Sequence, residues 1–389
     1  MCKHIVVATQ QFGSVISGVG TYANSLVNVL LDKGYAVTVI CPTIPGSIVS
    51  KSNLEILQIN KPVFKSAARW IPIAWSFSKV LQTYLRSRSP DLVYFIDARE
   101  SVFTQTNVPM LGSIHDGYAA SCSFNPFALR GDYADWISRW FYYHITAYLE
   151  AIAFDKFSFL HYVSDFTRNQ IETRYNIRTD NITTIHIGLD TKRFPKAENI
   201  RPLEKRIPGK ILTVGGNPER KGIHRLVRVL PEVKRRVPEV HLYIAGGDVH
   251  SSIVKTIASL GVQDSVTWLG WLDAGQLKQH YESASVFAMP SLVESLGLVY
   301  LEAAIYGTPV LASSNSGLVE VFGQSGALLS DPRDDEALVA NLLDLLTNKA
   351  LSKNLVEAAL NIVHKRDIRD TVEEISRFLE QALSVRETS

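Results

Sequence analysis

The stretch Pro290-Ser-Leu-Val-Glu-Ser-Leu-Gly-Leu-Val-Tyr-Leu-Glu302 places one carboxylate, Glu294, before Gly297 and a second, Glu302, after it. It follows an apolar run and leads through a loop into a helix that starts around Gly297. The unsatisfied amides of such a start, Leu298 and Val299, attract anions, phosphate above all. Carboxylates repel phosphate, so Glu294 and Glu302 beside it would accept hydrogen bonds from neutral hydroxyls of the same ligand. A nucleotide sugar carries both kinds of group. An early glutamate matched to the helix dipole, with a second on a solvated face, accounts for the same residues without a ligand. The pattern alone leaves both readings open.

A second loop, Gly215-Gly-Asn-Pro-Glu-Arg-Lys-Gly222, offers two adjacent cations, Arg220 and Lys221, directly after a strand. Open α/β sheets bind ligands at that carboxyl edge. From Arg201 to Arg236 eleven Lys and Arg stand against three Glu, a local basic excess. Lys234, Arg235 and Arg236 read as an ordinary solvated helix end; Arg220 and Lys221 differ from them by their glycine-flanked loop. Gly18-Val-Gly20 closes another strand-to-helix turn, which either cradles phosphate or lets a helix pack closely. It lacks the third glycine of a dinucleotide fingerprint, and no Gly-Lys-Ser/Thr of the Walker type occurs.

These loops need strands and helices to hold them. Ile5–Ala8 is a continuous apolar run, Tyr22, Ala23, Leu26 and Leu30 follow at helical spacing, and residues 36–41 begin the next strand after Gly34. Further buried strands are expected at 92–96, 110–114 and 159–163. A second alternation has strands at 211–214, 240–245, 266–269, 286–289 and 309–312. The chain therefore reads as two α/β domains in tandem, each a parallel sheet with helices on both faces. The proline-bearing stretch Pro195 to Pro208 suits a linker between them. The expected domains are 1–200 and 201–371.

A length of 389 residues suits two to three domains, and 46% hydrophobic residues can fill their cores. Forty Lys and Arg against thirty-eight Asp and Glu leave a formal charge of +2, which gives no argument for a nucleic-acid partner. Cys2, Cys41 and Cys122 are too scattered for a disulfide framework or a zinc site, so reduced thiols and a cytoplasmic location are expected, with no metal. No signal peptide and no spanning helix are expected either.

At this point the residues carry a resemblance. Gly215 to Gly222, Trp268-Leu-Gly270, Pro290-Ser291, the Glu294 and Glu302 pair around Gly297, Gly307-Thr-Pro-Val310 and Ser316-Gly-Leu-Val-Glu320 stand in the order and spacing of glycosyltransferase family 4. The first half is similar more loosely, through Gly18 and Gly20, His115-Asp116, Val163-Ser164 with Thr167, and Gly188-Leu-Asp190. The resemblance implies the GT-B fold, two Rossmann-like domains facing across a cleft, with the final helix, about 372–389, packed back on the first domain.

It also implies a retaining transfer of sugar from a nucleotide-sugar donor to a hydroxyl acceptor, without a required metal or other cofactor. UDP-sugars are expected ahead of GDP- or ADP-sugars. Glu302 would bind ribose hydroxyls and Glu294 the transferred sugar. Lys221 with Arg220 would neutralise the diphosphate, and His115 would lie beside the reacting face of the sugar. Gly18, Gly20, Gly216, Gly297, Leu298 and Val299 would line the donor site. The sequence departs from the family pattern at Gly216, where an arginine is usual, and Arg220 is the candidate substitute. Sugar-nucleotide epimerases share this architecture, and a catalytically silent nucleotide-sugar-binding protein is a further alternative.

Acceptor recognition falls to the first domain. From Lys61 to Pro90 there are six Lys and Arg and no Asp or Glu, interleaved with aromatics. Ile73, Ala74, Phe77, Val80, Leu81, Tyr84 and Leu85 fall on one helical face. Such a helix, about 64–86, suits peripheral contact with an anionic membrane; a helix packed on the sheet suits the pattern too. Trp136, Trp140, Phe141, Tyr142 and Tyr143 form a second aromatic cluster, either a wall of the acceptor cleft or core.

Overall fold

Ile5, Val6 and Val7 are fully buried, as a continuous apolar run must be when helices cover both faces of a parallel sheet. They belong to β1 (His4–Ala8), which is followed by β2 (Ala36–Cys41), β3 (Leu54–Gln58), β4 (Leu92–Phe95), β5 (Met110–Ile114), β6 (Phe159–Tyr162) and β7 (Ile182–Thr184). All pair in parallel, in the order β3-β2-β1-β4-β5-β6-β7. Helices α1 (Gly18–Asp32), α2 (Trp70–Leu85), α3 (Tyr133–Phe154) and α4 (Asp165–Glu172) make the crossovers.

A second parallel sheet holds β8 (Ile207–Val214), β9 (His241–Ala245), β10 (Val266–Gly270), β11 (Ala284–Met289), β12 (Val310–Ser313) and β13 (Leu328–Ser330), in the order β10-β9-β8-β11-β12-β13. Its helices are α5 (Ile223–Arg236), α6 (Ser251–Leu260), α7 (Ala274–Ser283), α8 (Leu298–Ile305), α9 (Leu318–Phe322), α10 (Asp335–Thr347) and α11 (Lys349–Val363). The last helix, α12 (Ile368–Glu387), buries Val372, Ile375, Leu379 and Ala382. Its Glu373 meets Lys33 after α1 at 2.8 Å, and its Phe378 meets Phe159 of β6 edge to face.

This computed structural model describes residues 3–12, 18–42, 52–60, 70–117, 133–177, 180–247, 249, 251–323 and 325–387. The chain divides into unit 1, Met1–Ile187 with Ile368–Ser389, and unit 2, Gly188–Asp367. In each sheet the strand order reverses once, between β1 and β4 in unit 1 and between β8 and β11 in unit 2. The crevice outside the carboxyl ends of those strand pairs is the general ligand site of such sheets.

Three sequence expectations change. The stretch 195–208 is not the linker, for it belongs to unit 2, and the units meet in the chain at 187/188 and 367/368. Arg206 shows why: only 4% exposed, its guanidinium donates to the carbonyls of Tyr281, Ala284 and Tyr306 and to the Thr308 hydroxyl. At the true crossing Gly188 lies so near the Arg366 carbonyl that a Cβ would approach it to 2.3 Å. The apolar face of α2 does not face a membrane: Ile73, Ala74, Phe77, Leu81 and Tyr84 are buried in the core of unit 1. Residues 61–69 of that expectation lie outside the described residues. Edge strands β3, β7 and β13 carry no long apolar run and went unforeseen; Glu55 and Gln58 of β3 are exposed, as a strand with one neighbour allows.

Cys41 is buried and free, while Cys2 and Cys122 lie outside the described residues.

Candidate active site

Both motif loops of unit 2 open at its switch point, because β8 runs into Gly215–Gly222 and β11 into Pro290–Gly297, and β8 and β11 are neighbours. Backbone bonds fasten the loops together. Leu292 N–H donates to the Arg220 carbonyl at 2.8 Å, and Gly317 N–H donates to the Glu294 carbonyl at 3.0 Å. The result is an ion pair across the crevice: Lys221 Nζ lies 2.5 Å from Glu294 Oε2, with Arg220 at 3.6 Å from the same oxygen. Glu294 is only 8% exposed. Burial pushes the Lys221 ammonium below its usual range, Glu294 opposes that shift, and Arg220 adds to it.

Glycines set this geometry. A Cβ on Gly215 would strike the Lys221 stem at 2.7 Å, so the missing side chain is the space the lysine occupies. Gly222, at φ +73°, lies against the Pro290 carbonyl, where a Cβ would sit 2.1 Å away. Gly297, at φ +78°, opens α8 and leaves Leu298 and Val299 at the helix start. Gly216 differs, since a Cβ there would meet Gly247 and the exposed Trp271 only at ordinary contact distance. No backbone strain or close approach demands glycine at 216.

Glu302 sits on α8, apart from the ion pair. Tyr281 donates to its Oε2 at 3.0 Å, and burial pushes the carboxyl up to about 7, opposed by that hydrogen bond and by Arg193. Neither Tyr281 nor Arg193 was singled out in the sequence, since neither lies in a glycine-marked loop.

In unit 1, His115 follows β5 and stands edge to face with Tyr22 of α1, ring centres 5.3 Å apart. Gly18 opens α1 and Gly20 is buried in it; residues 13–17 of that turn lie outside the described residues. Burial holds the imidazole below its usual value against the pull of Asp97 and Asp116, and Nε2 is buried without a hydrogen-bond partner. Beside it the Arg99 guanidinium meets Asp97 and Asp116 at 2.8 Å and Glu150 at 3.4 Å. Sequence reasoning missed this cluster because its members come from separate segments, Asp97 and Arg99 just past β4, Asp116 just past β5 and Glu150 on α3. Ser164 has a structural part, capping α4 by accepting from Thr167 N–H at 3.1 Å. Among the described residues no group of three His, Cys, Asp or Glu could hold a metal ion.

The Glycosyltransferase Family 4 model matches residues 16–193, and the model for glycosyl transferases group 1 matches 196–362. The chain belongs to the family 4 type of GT-B glycosyltransferases. A relative in Mycolicibacterium smegmatis, GDP-mannose-dependent alpha-(1-6)-phosphatidylinositol monomannoside mannosyltransferase, is 32% identical over 206 residues, 48% of this chain and 52% of that protein. The chain spans about half the length of the curated relatives it matches. Among solved structures, sucrose-phosphate synthase from Thermosynechococcus elongatus superimposes with a TM-score of 0.80 at 19% identity, covering 98% of this chain and 100% of that one. Anabaena HepE in complex with UDP and glucose superimposes at 0.72 and 16% identity, covering 97% and 100%. At such identities these neighbours show the GT-B fold alone.

The family's two loops in unit 2 therefore hinge on glycines, and Gly222→Ala tests this directly. A left-handed alanine pressed on the Pro290 carbonyl is expected to cost about 2–4 kcal/mol. The melting temperature should fall by several degrees, and an unchanged one would show that the two loops are not packed as described.

Proposed function

We propose that the protein transfers a hexose-type sugar from a nucleoside-diphosphate sugar to a hydroxyl acceptor with retention of configuration. The observation that carries this reading is the Lys221–Glu294 pair, set by two loops at the switch point of unit 2. Lys221 and Arg220 take the charge of the departing diphosphate, aided by the amides of Leu298 and Val299 at the start of α8. Glu294 accepts hydrogen bonds from the hydroxyls of the transferred sugar, and Glu302, steadied by Tyr281, accepts them from the ribose. His115, held neutral by burial, serves the reacting face of the sugar. No metal ion is part of this proposal.

A UDP-sugar is the proposed donor. The named GDP-mannose dependence of one relative and the UDP in one structural neighbour make the base the first point to test. Acceptor recognition is assigned to unit 1, and the reaction to the cytoplasm. In a thermal-shift panel of UDP-, GDP- and ADP-sugars, the true donor should raise the melting temperature by mass action. Product analysis then separates transfer from epimerisation, since only transfer releases nucleoside diphosphate in step with a glycosylated acceptor.

Two outcomes follow from these roles. Lys221→Ala and Glu294→Ala are each expected to lower turnover by about 10²–10³ while the protein stays folded; wild-type turnover in both would remove the assignment. Glu302 predicts a pH dependence. Hydroxyls that donate to it favour the ionised carboxylate, whereas at pH 6 the free site is largely protonated because its carboxyl lies at about 7. Binding of a sugar nucleotide should therefore strengthen from pH 6 to 8, by up to about tenfold per unit below the carboxyl's own value. Calorimetric titration of wild type and Glu302→Gln checks this, with a flat profile expected only for the variant.

A further inference from the structure

Just past β4 and β5 in unit 1, one guanidinium is divided among three carboxylates. Arg99 Nε lies 2.8 Å from Asp97 Oδ1, Nη2 lies 2.8 Å from Asp116 Oδ1, and Nη1 lies 3.4 Å from Glu150 Oε1. Every arm of the fork is committed. Behind it Glu150 is fully buried on α3 and accepts from the hydroxyl of Tyr175, past α4, at 2.8 Å. Asp116 is the member that meets solvent, with 41% of its side chain exposed. The network thus braces it from behind: Tyr175 holds Glu150, Glu150 and Asp97 hold Arg99, and Arg99 holds Asp116.

Its two chain neighbours bring hydrogen-bond acceptors beside it. The His115 ring hydrogen-bonds to the Ile96 backbone, while its Nε2 is buried without a hydrogen-bond partner. The ring N–H that meets the Ile96 carbonyl is therefore at Nδ1, and Nε2 carries the lone pair. On the other side Gly117 lies against Gln170 of α4, where a Cβ would come within 2.8 Å of Oε1, and that oxygen too is buried without a partner. Imidazole nitrogen, carboxylate and amide oxygen all call for donors. Among the described residues the cation that bears on His115, Tyr142 and Glu150 is Arg99 in each case, and its nitrogens are already taken. Unit 2 has the opposite arrangement, with Lys221 and Arg220 in its loop.

We propose that Asp116, held by Arg99, binds the acceptor by accepting hydrogen bonds from the hydroxyls of an uncharged sugar or cyclitol ring beside His115. A hydroxyl donating to a carboxylate makes a charge-assisted bond, and a ring with several hydroxyls can serve Asp116 and His115 Nε2 together. A ring that carries a phosphate at this point is disfavoured, because its anion would face Asp97, Asp116 and Glu150 while their one guanidinium is occupied. That the bound polyol is an acceptor rests on the proposed transfer; its binding to unit 1 does not.

Saturation-transfer NMR titration of the full chain, without nucleotide, tests this. The probes are methyl α-D-glucopyranoside, methyl α-D-mannopyranoside and myo-inositol, with glucose 6-phosphate and mannose 6-phosphate as charged counterparts. At least one neutral polyol should bind, and the phosphorylated sugars should bind at least about tenfold more weakly than it does. Asp116→Asn, which keeps the size of the side chain, should weaken the neutral polyol at least about tenfold. It should also narrow the gap between neutral and phosphorylated probes, a change that loss of a purely structural contact would not produce. Circular dichroism verifies folding, and Asp116→Ser serves if the asparagine variant unfolds. Absence of binding by all three neutral polyols, equal binding of the phosphorylated sugars, or unchanged binding by the folded variant overturns the proposal. A flat panel of sugar nucleotides beside polyol binding that depends on Asp116 would uphold this site and count against the transferase reading, so the two failures are told apart.

Discussion

A lysine ammonium and a glutamate carboxylate, both largely withdrawn from water, hold each other at 2.5 Å across the crevice of unit 2. Burying either charge alone is costly, so each depends on the other, and both depend on the loops that carry them. Those loops depend in turn on three glycines, two of them in the left-handed backbone region. Gly215 leaves space for the lysine stem, Gly222 passes the Pro290 carbonyl, and Gly297 turns the chain into α8. The parallel order of β8 and β11 then brings two segments about seventy residues apart in sequence to one edge.

The same constraint explains how the pair would meet a ligand. A diphosphate entering beside Lys221 competes with Glu294 for the ammonium, and sugar hydroxyls entering beside Glu294 offer the carboxylate new donors. A donor carrying both groups can replace both halves of the pair at once, which a free phosphate or a free sugar cannot. Arg220, 3.6 Å from the same carboxylate oxygen, supplies cationic charge that Gly216 does not.

What could be read in the sequence was whatever glycine marks. Gly215, Gly222 and Gly297 flag the two loops, and continuous apolar runs flag the central strands, so Arg220, Lys221, Glu294 and Glu302 were within reach. Residues joined only by the fold were not. Arg206 lies in a proline-bearing stretch that reads as a linker until its four buried acceptors, from three segments, are in place. Arg99 and its three carboxylates come from the turns after β4 and β5 and from α3, and nothing in their spacing joins them. For α2 the periodicity showed an apolar face but not its direction, because core and lipid ask for the same side chains.

The sharpest test separates the two halves of the ion pair by calorimetry, using the nucleoside diphosphate selected by the thermal panel and the corresponding sugar nucleotide. Lys221→Met should weaken both ligands, by about ten- to a hundredfold for a lost charge-assisted contact. Glu294→Gln, which removes the carboxylate that competes for the ammonium, should bind the nucleoside diphosphate at least as tightly as wild type and lose the added affinity of the sugar. If Glu294→Gln weakens the two ligands equally, or Lys221→Met leaves both unchanged, the pair is structural and the site lies elsewhere.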